Sequence, residues 1–302
     1  MHNYSKEPLH IIKTGAKEIA SFTSDQDENI EWSTVESFGE EWRKFHEFDD
    51  SEVKKIGDQY FDIVTPIMLN DSSSVLDIGC GSGRWSRYLA KRVKEIEAID
   101  PSNAVFQALK LTEKFNNVRV TKASVDSIPF EDESFDFVFS LGVLHHIPDT
   151  EAALIKSVAK VKQGGFFLVY LYYNLDNRSL FFKGLFILSN IVRIIVSRLP
   201  GGLKRFSCEV LAIMVYMPFI LFSKILYKLP KPFRKLIRFI PLSYYHNRSF
   251  QIIRNDSLDR FGTPLENRFS KERIKTMMEQ AGLVDVSFSN HEPYWHAVGK
   301  KK

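Results

Sequence analysis

From residue 74 to residue 171, short apolar runs alternate with stretches of helical period. Residues 74–78 read as a buried strand that stops at glycines, and 84–92 as a helix. Residues 96–100 form a second strand, 102–115 a helix, and 118–123 a third strand. Residues 135–141 are nearly all apolar, as expected of a strand covered on both faces. Asp149 caps a helix running to Val161, Gly164-Gly165 makes a turn, and 166–171 is a fifth strand. Strands and helices alternating at this spacing predict a parallel sheet with crossover helices.

Outside that region the pattern changes. The first thirty or so positions are polar without a clear period, which predicts a loosely ordered arm. Phe38, Trp42 and Phe45 then fall at helical spacing within 35–48, and Ser51 is placed to cap a helix with Val53, Ile56, Tyr60 and Val64 on one face. The alternation breaks after Tyr172 and resumes near Phe269, with a helix over 270–281 that ends at Gly282. Strands at 284–289 and 294–298 then close the sheet as an antiparallel pair. The expected division is 1–71 (arm and lid helices), 72–172 (ligand-binding core), 173–265 (insertion) and 266–302 (completion of the core).

The candidate chemistry starts at Asp77-Ile-Gly79-Cys-Gly81-Ser-Gly83, between the first strand and its helix. Glycines there allow positive φ and close backbone approach, and a helix N-terminus offers free N–H groups. A dinucleotide or a nucleoside fits such a loop. The spacing is Gly-x-Gly-x-Gly, not the Gly-x-Gly-x-x-Gly that accommodates a pyrophosphate. Asp77 would repel phosphates but welcome an amino group, and Asp100 ends the second strand where a carboxylate can accept both ribose hydroxyls.

The chain has 302 residues and ordinary globular composition. Its two cysteines, Cys80 and Cys208, have no ligand-type spacing, which argues against a zinc site and suits a reducing cytosol. The N-terminus has no apolar leader pattern, so a cytoplasmic location is expected. A net charge of +4 hides a division: residues 25–52 hold eleven acids against Arg43 and Lys44, while 181–240 hold eleven Lys and Arg against Glu209.

Read together, these segments resemble the motifs of class I S-adenosylmethionine-dependent methyltransferases. Val75 to Gly83 resembles the first motif and Ala98-Ile-Asp-Pro-Ser102 the second. Ser127 to Asp136, Ser140 to His146, and Val161-Lys-Gln-Gly-Gly165 resemble the stretches around the fourth strand and before the fifth. The resemblance implies an α/β Rossmann-like methyltransferase fold. Its mostly parallel seven-stranded sheet would carry helices on both faces and a helical insertion after the fifth strand. It implies S-adenosylmethionine as cofactor, with Asp77, Gly79, Cys80, Gly81 and Gly83 around the methionine part and Asp100 and Pro101 at the ribose. Ser124 and Val125 would sit at the adenine edge, where many relatives have Asp-Ala, and Ser140, Leu141 and Gly142 would line the floor beneath the sulfonium.

His145 and His146 follow the fourth strand at the carboxyl edge, where open α/β sheets bind ligands. Either could be a general base toward an oxygen nucleophile, and a structural role is the alternative. Trp42 and Tyr60 are lid or acceptor-site candidates, and core packing would explain their spacing equally well. His246, Arg248, Asp256 and Asp259 are acceptor-site candidates on the segment that returns to the core. No Asn-Pro-Pro-Tyr follows the fourth strand, which argues against methylation of a nucleobase amine. The expected acceptor is a small molecule, glycan or lipid-linked compound, methylated at oxygen; a binding module without transfer is the rival from another class.

In the insertion, residues 210–223 form an uncharged run that contains Pro218, too short to span a bilayer, and 180–199 carries Lys183, Arg193 and Arg198. Three readings stand open. They are amphipathic helices on an anionic membrane, which would place the protein peripherally on the membrane's inner face; a lid or oligomer interface; and a nucleic-acid surface, disfavoured because long apolar runs gain nothing from phosphate.

Overall fold

In the computed structural model, residues 1–15, 17–24, 26–44, 50–176, 179–230, 234, 236–237 and 240–302 are described, with backbone alone over 40–44. The side chain of Trp42, and Phe45 entirely, lie outside the described residues. The chain divides into two units: Met1–Asp176 with Leu265–Lys302, and Asn177–Pro264.

The first unit is built on one sheet. Its strands are β1 (His10–Thr14), β2 (Lys17–Ser21), β3 (Ser74–Ile78), β4 (Glu95–Asp100), β5 (Val118–Lys122), β6 (Phe135–Leu141), β7 (Val161–Tyr170), β8 (Leu283–Phe288) and β9 (His296–Lys301). Their order is β1-β2-β5-β4-β3-β6-β7-β9-β8. From β5 to β7 all neighbours are parallel, while β9 lies antiparallel to β7 and β8 antiparallel to β9. Successive side chains point to opposite faces, so Leu76 packs in one core cluster and Val75 in the other, and Val138 and Phe139 divide likewise. Strand order reverses between β3 and β6, and such a reversal opens a crevice at the strands' carboxyl ends. The helices of this part of the chain are α1 (Trp32–Lys44), α2 (Asp50–Tyr60), α3 (Arg84–Leu89), α4 (Val105–Leu111) and α5 (Thr150–Ala159).

The sheet has nine strands, not seven. The difference is the hairpin β1–β2, which adds to β5 where Ser21 pairs in parallel with Lys122. The expectation of a loosely ordered arm is corrected here. The hairpin buries Ile19, Ala20 and Phe22, an apolar run too short to show a period, and the residues before it attach through polar atoms. The backbone N–H of His2 donates to Glu97 at 2.9 Å, and Tyr4 Oη lies 2.9 Å from Thr121 Oγ1. Arg119 lies over the Tyr4 ring at 4.2 Å and pairs with Glu97 through two 2.8 Å bonds.

The second unit holds α6 (Leu180–Val196), α7 (Gly201–Leu211), α8 (Met217–Lys228) and α9 (Phe250–Gly262). α7 and α8 are one continuous helix, Gly201–Lys228, joined through a π-helical turn at Ala212–Tyr216. The run 210–223, expected to be too short to span a bilayer, therefore lies within a longer helix that Pro218 does not end. Pro218 stands in the first turn of α8, directly after the wider π turn, and the hydrogen-bond ladder passes it without its missing N–H. The resulting helix is long and apolar enough, by length and composition, to cross a membrane. Its buried stripe of Cys208, Ala212, Tyr216 and Ile220 packs with Ile253 and Phe261 of α9. The last helix, α10 (Lys271–Gln280), belongs to the first unit, where Ser270 caps it by accepting from the Arg273 N–H.

Candidate active site at the carboxyl edge of the sheet

The loop after β3 has the shape its glycines dictate. Gly79 sits at φ +76°, and an added Cβ there would come within 2.4 Å of Val143. Gly83 sits at φ +80° and caps α3, where a Cβ would meet Ala108 at 3.0 Å. The N–H groups of Gly79 and Cys80 both donate to Ile99 O, tying the loop to the end of β4. Gly81 N donates to Asp100 Oδ2 at 2.9 Å, and Ser102 N donates to Asp100 Oδ1 at 2.8 Å.

Asp77 and Asp100 are both buried, and among the described residues neither is in an ion pair. Burial pushes Asp77 up to about 7 despite the 2.6 Å bond donated by Ser86 Oγ, and the charge of Asp100 adds to the rise. Asp100 is raised by burial too, against the bonds from Ser102 and Gly81. Arg84 and Lys122 act on Asp77 and Asp100 from a distance, but neither offsets the cost of burial. A ligand with an amino group and a sulfonium fits this donor set, and a dinucleotide phosphate does not.

The other cofactor candidates divide. Pro101 turns the chain between Asp100 and Ser102 and is half-buried. Cys80 is buried, its thiol held up first by burial and then by the two acids. Ser140 is fully buried and spends its hydroxyl on Ile78 O at 2.9 Å, which fastens β6 to β3. Gly142 and Leu141 end β6, and Gly142 N donates to Tyr170 O. Val125 is buried, and Ser124 Oγ donates to Asp27 Oδ2 at 2.7 Å. Ser127 Oγ reaches the same oxygen at 3.2 Å. Asp27 thus brings a carboxylate to the end of β5, a residue that no local pattern could single out. Asn29 holds it there, its N–H bonded to Asp126 and its side chain bridged to the backbone of Asp149.

The two histidines differ. His146 turns Nδ1 to Leu265 O at 2.8 Å, with its ring 4.9 Å from Phe38. His145 is wholly buried, stacked on Tyr172 at 3.8 Å, and neither ring nitrogen has a hydrogen-bond partner. Burial, then the nearby His146 and Arg268, hold its pKa well below the usual histidine range, so the ring is a neutral imidazole. From His145 an aromatic wall runs through Tyr172 and Tyr170 to Tyr60, which meets Tyr170 edge-on at 5.1 Å and Trp85 at 5.2 Å. Tyr170 and Tyr172 were missed in sequence because they read only as the end of the fifth strand.

The remaining acceptor-site candidates lie in the second unit. His246 stacks on Tyr227 at 3.8 Å, and Arg248 donates to Tyr244 Oη at 2.6 Å. Asp256 is hydrogen-bonded to Tyr245, and Asp259 lies near Tyr216. Among the described residues, no group of three or more His, Cys, Asp or Glu side chains is placed to hold a metal ion.

Sheet order, glycine loop and paired acids define the α/β fold of the Rossmann-like methyltransferases. Residues 76–169 match the family model described as "Methyltransferase domain". The chain carries a class I S-adenosylmethionine-dependent methyltransferase domain, and S-adenosylmethionine is the cofactor of that domain. It is 32% identical over 108 residues, 35% of this chain and 36% of the relative, to a tRNA U34 carboxymethyltransferase of Nautilia profundicola. It is also 32% identical over 138 residues, 42% of this chain and 41% of the relative, to the mitochondrial ubiquinone biosynthesis O-methyltransferase of Candida albicans. In both cases the match spans less than half of the relative's length. Among solved structures, an O-methyltransferase family protein from Burkholderia thailandensis aligns with a TM-score of 0.49 at 13% identity, covering 83% of this chain and 58% of that one.

Proposed function

We propose that this protein transfers a methyl group from S-adenosylmethionine to a hydroxyl oxygen of a small aromatic acceptor. Asp77 takes the amino group of the cofactor, Asp100 the ribose hydroxyls, and Asp27 the adenine amine that Ser124-Val125 cannot bind through a carboxylate of its own. The bound cofactor supplies an electrophilic methyl on a sulfonium whose positive charge is lost on transfer. The residues therefore have two tasks, alignment of a nucleophile and removal of its proton.

The observation that carries the acceptor reading is His145, a buried neutral imidazole with two unpartnered nitrogens on an aromatic wall. An unpartnered buried polar group is costly, and a hydroxyl on a flat ligand against Tyr172, Tyr170 and Tyr60 would relieve it. His145 accepts the hydroxyl hydrogen bond and then the proton. The charge that a bound sulfonium would lose on transfer would offset the burial penalty on the imidazolium. That one relative is by name an O-methyltransferase supports transfer to oxygen.

The test is transfer from methyl-labelled cofactor to matched hydroxy- and amino-substituted aromatic compounds, using the full chain. Label is expected on oxygen, and His145→Ala should lower kcat about a hundredfold with the KM for the cofactor unchanged. Label on amines alone, or unaltered turnover in the variant, would sink the assignment.

A further inference from the structure

In the second unit many large apolar side chains point outward in addition to those in its core. On α6, Ile187, Leu188, Ile191 and Ile195 face outward, while Arg193 is only 8% exposed. On Gly201–Lys228 the outward positions include Phe206, Ile213, Met214, Phe222 and Ile225. The most apolar stretch of that helix has a mean hydropathy of 2.0, yet only 28% of it is buried. A core helix of a water-soluble domain with that composition would be mostly covered, and exposed apolar patches of this extent mark an interaction surface.

The interior holds polar groups beside the apolar stripe of Cys208, Ala212, Tyr216 and Ile220. Arg193 Nη1 donates to the carbonyls of Thr263 and Pro264 at 3.0 and 2.8 Å, and its Nε to Asn190 at 2.9 Å. Ser257 Oγ donates to Cys208 O at 2.7 Å and Ser223 Oγ to Phe219 O at 2.8 Å. Polar side chains such as Arg193, Ser223 and Ser257 bonded inside, and aliphatic ones turned out, suit a solvent without hydrogen bonds.

Charge decides the occupant. On Gly201–Lys228, Lys204 and Arg205 stand near one end and Lys224 and Lys228 near the other. Between them only Glu209 is charged, and it pairs with Arg254. Cations at the ends of an apolar helix reach lipid headgroups while their stems cover apolar surface. A second copy docked by the same helices would set Lys183, Lys204, Arg205, Lys224 and Lys228 against the same cations, with Glu209 the one acid on them, which is repulsive. We propose that the unit Asn177–Pro264 is embedded in an anionic phospholipid bilayer, with the outward faces of α6 and of Gly201–Lys228 among the acyl chains.

The full-length protein should float with phosphatidylglycerol-containing vesicles and less with phosphatidylcholine alone. Most of the binding to anionic vesicles should survive about 1 M salt, where charges are screened beyond ~3 Å. Met214→Lys with Phe222→Lys should weaken binding on the order of a hundredfold, whereas Leu9→Lys, at an exposed apolar residue of the first unit, should leave it unchanged. Protein that stays in solution at low salt, or elutes as a discrete oligomer unaffected by vesicles, overturns the proposal. Complete release at high salt does so too, because a purely electrostatic surface contact would explain it.

Discussion

Ser124-Val125 stands where the methyltransferase motif commonly has Asp-Ala, and the carboxylate that reaches this place comes from 97 positions earlier. Asp27 Oδ2 is held by Ser124 and Ser127, which leaves Oδ1 to accept from an adenine amine. Asp27→Ala should therefore weaken S-adenosylhomocysteine binding about tenfold, the weight of one hydrogen bond to a charged group. Binding of the inosine counterpart, which has a carbonyl in place of the amine, should not weaken. Titration calorimetry of both ligands checks this, and equal losses for the two would reject the contact. Local pattern could find Asp77 and Asp100 because each ends a strand beside a glycine loop or turn. It could not find Asp27, which has no regular element around it.

The hairpin β1–β2 and the segment before it illustrate the same limit for an element. Nothing periodic marks residues 1–9, yet they reach Glu97 and Arg119 on the sheet. Glu97 has no exposed side-chain area, and burial raises its pKa even though Arg119 pairs with it. Arg119→Ala would leave that acid uncompensated and remove the cation over Tyr4, so unfolding free energy should fall by about 3 kcal/mol in urea titrations. Replacing both partners by leucine should recover most of the loss. If the single change costs no more than a surface substitution, the pair is not what fastens this edge. The helix Gly201–Lys228 taught the opposite lesson. Pro218 is visible in the sequence, but its effect depends on a π turn that only the folded helix contains.

Across the whole molecule, Asp77, Glu97 and Asp100 each hold their proton more tightly folded than unfolded, and burial is the leading cause for each. Groups raised in this way contribute stability that is fully present below their unfolded values, near pH 4, and lost as pH climbs through the folded ones, for Asp77 about 7. The share of stability contributed by Asp77 in the cofactor-free chain should therefore fall between about pH 4 and about pH 7, opposed up to about pH 6.5 by His145, whose lowered pKa adds stability as pH rises. Asp77→Asn should flatten part of that decline, and saturating cofactor should restore the wild type at the alkaline end, because it brings the missing cation. Melting curves across this range check the sign. An unchanged slope in the variant would show that Asp77 is not the group that titrates.

The central sheet, its crossover helices and the glycine loop were legible in the chain alone because each rests on neighbouring residues. Period, strand length and turn glycines are local properties, and β3 to β7 with the loop from Asp77 to Gly83 are set by them. What tertiary structure decided is everything made by distant partners: the two added strands, the carboxylate of Asp27 at the end of β5, and the aromatic wall that isolates His145. It also decided which way the apolar insertion turns its side chains. A hydrophobic period shows that a helix has two faces, but only packing shows that Arg193 lies inside and Ile191 outside.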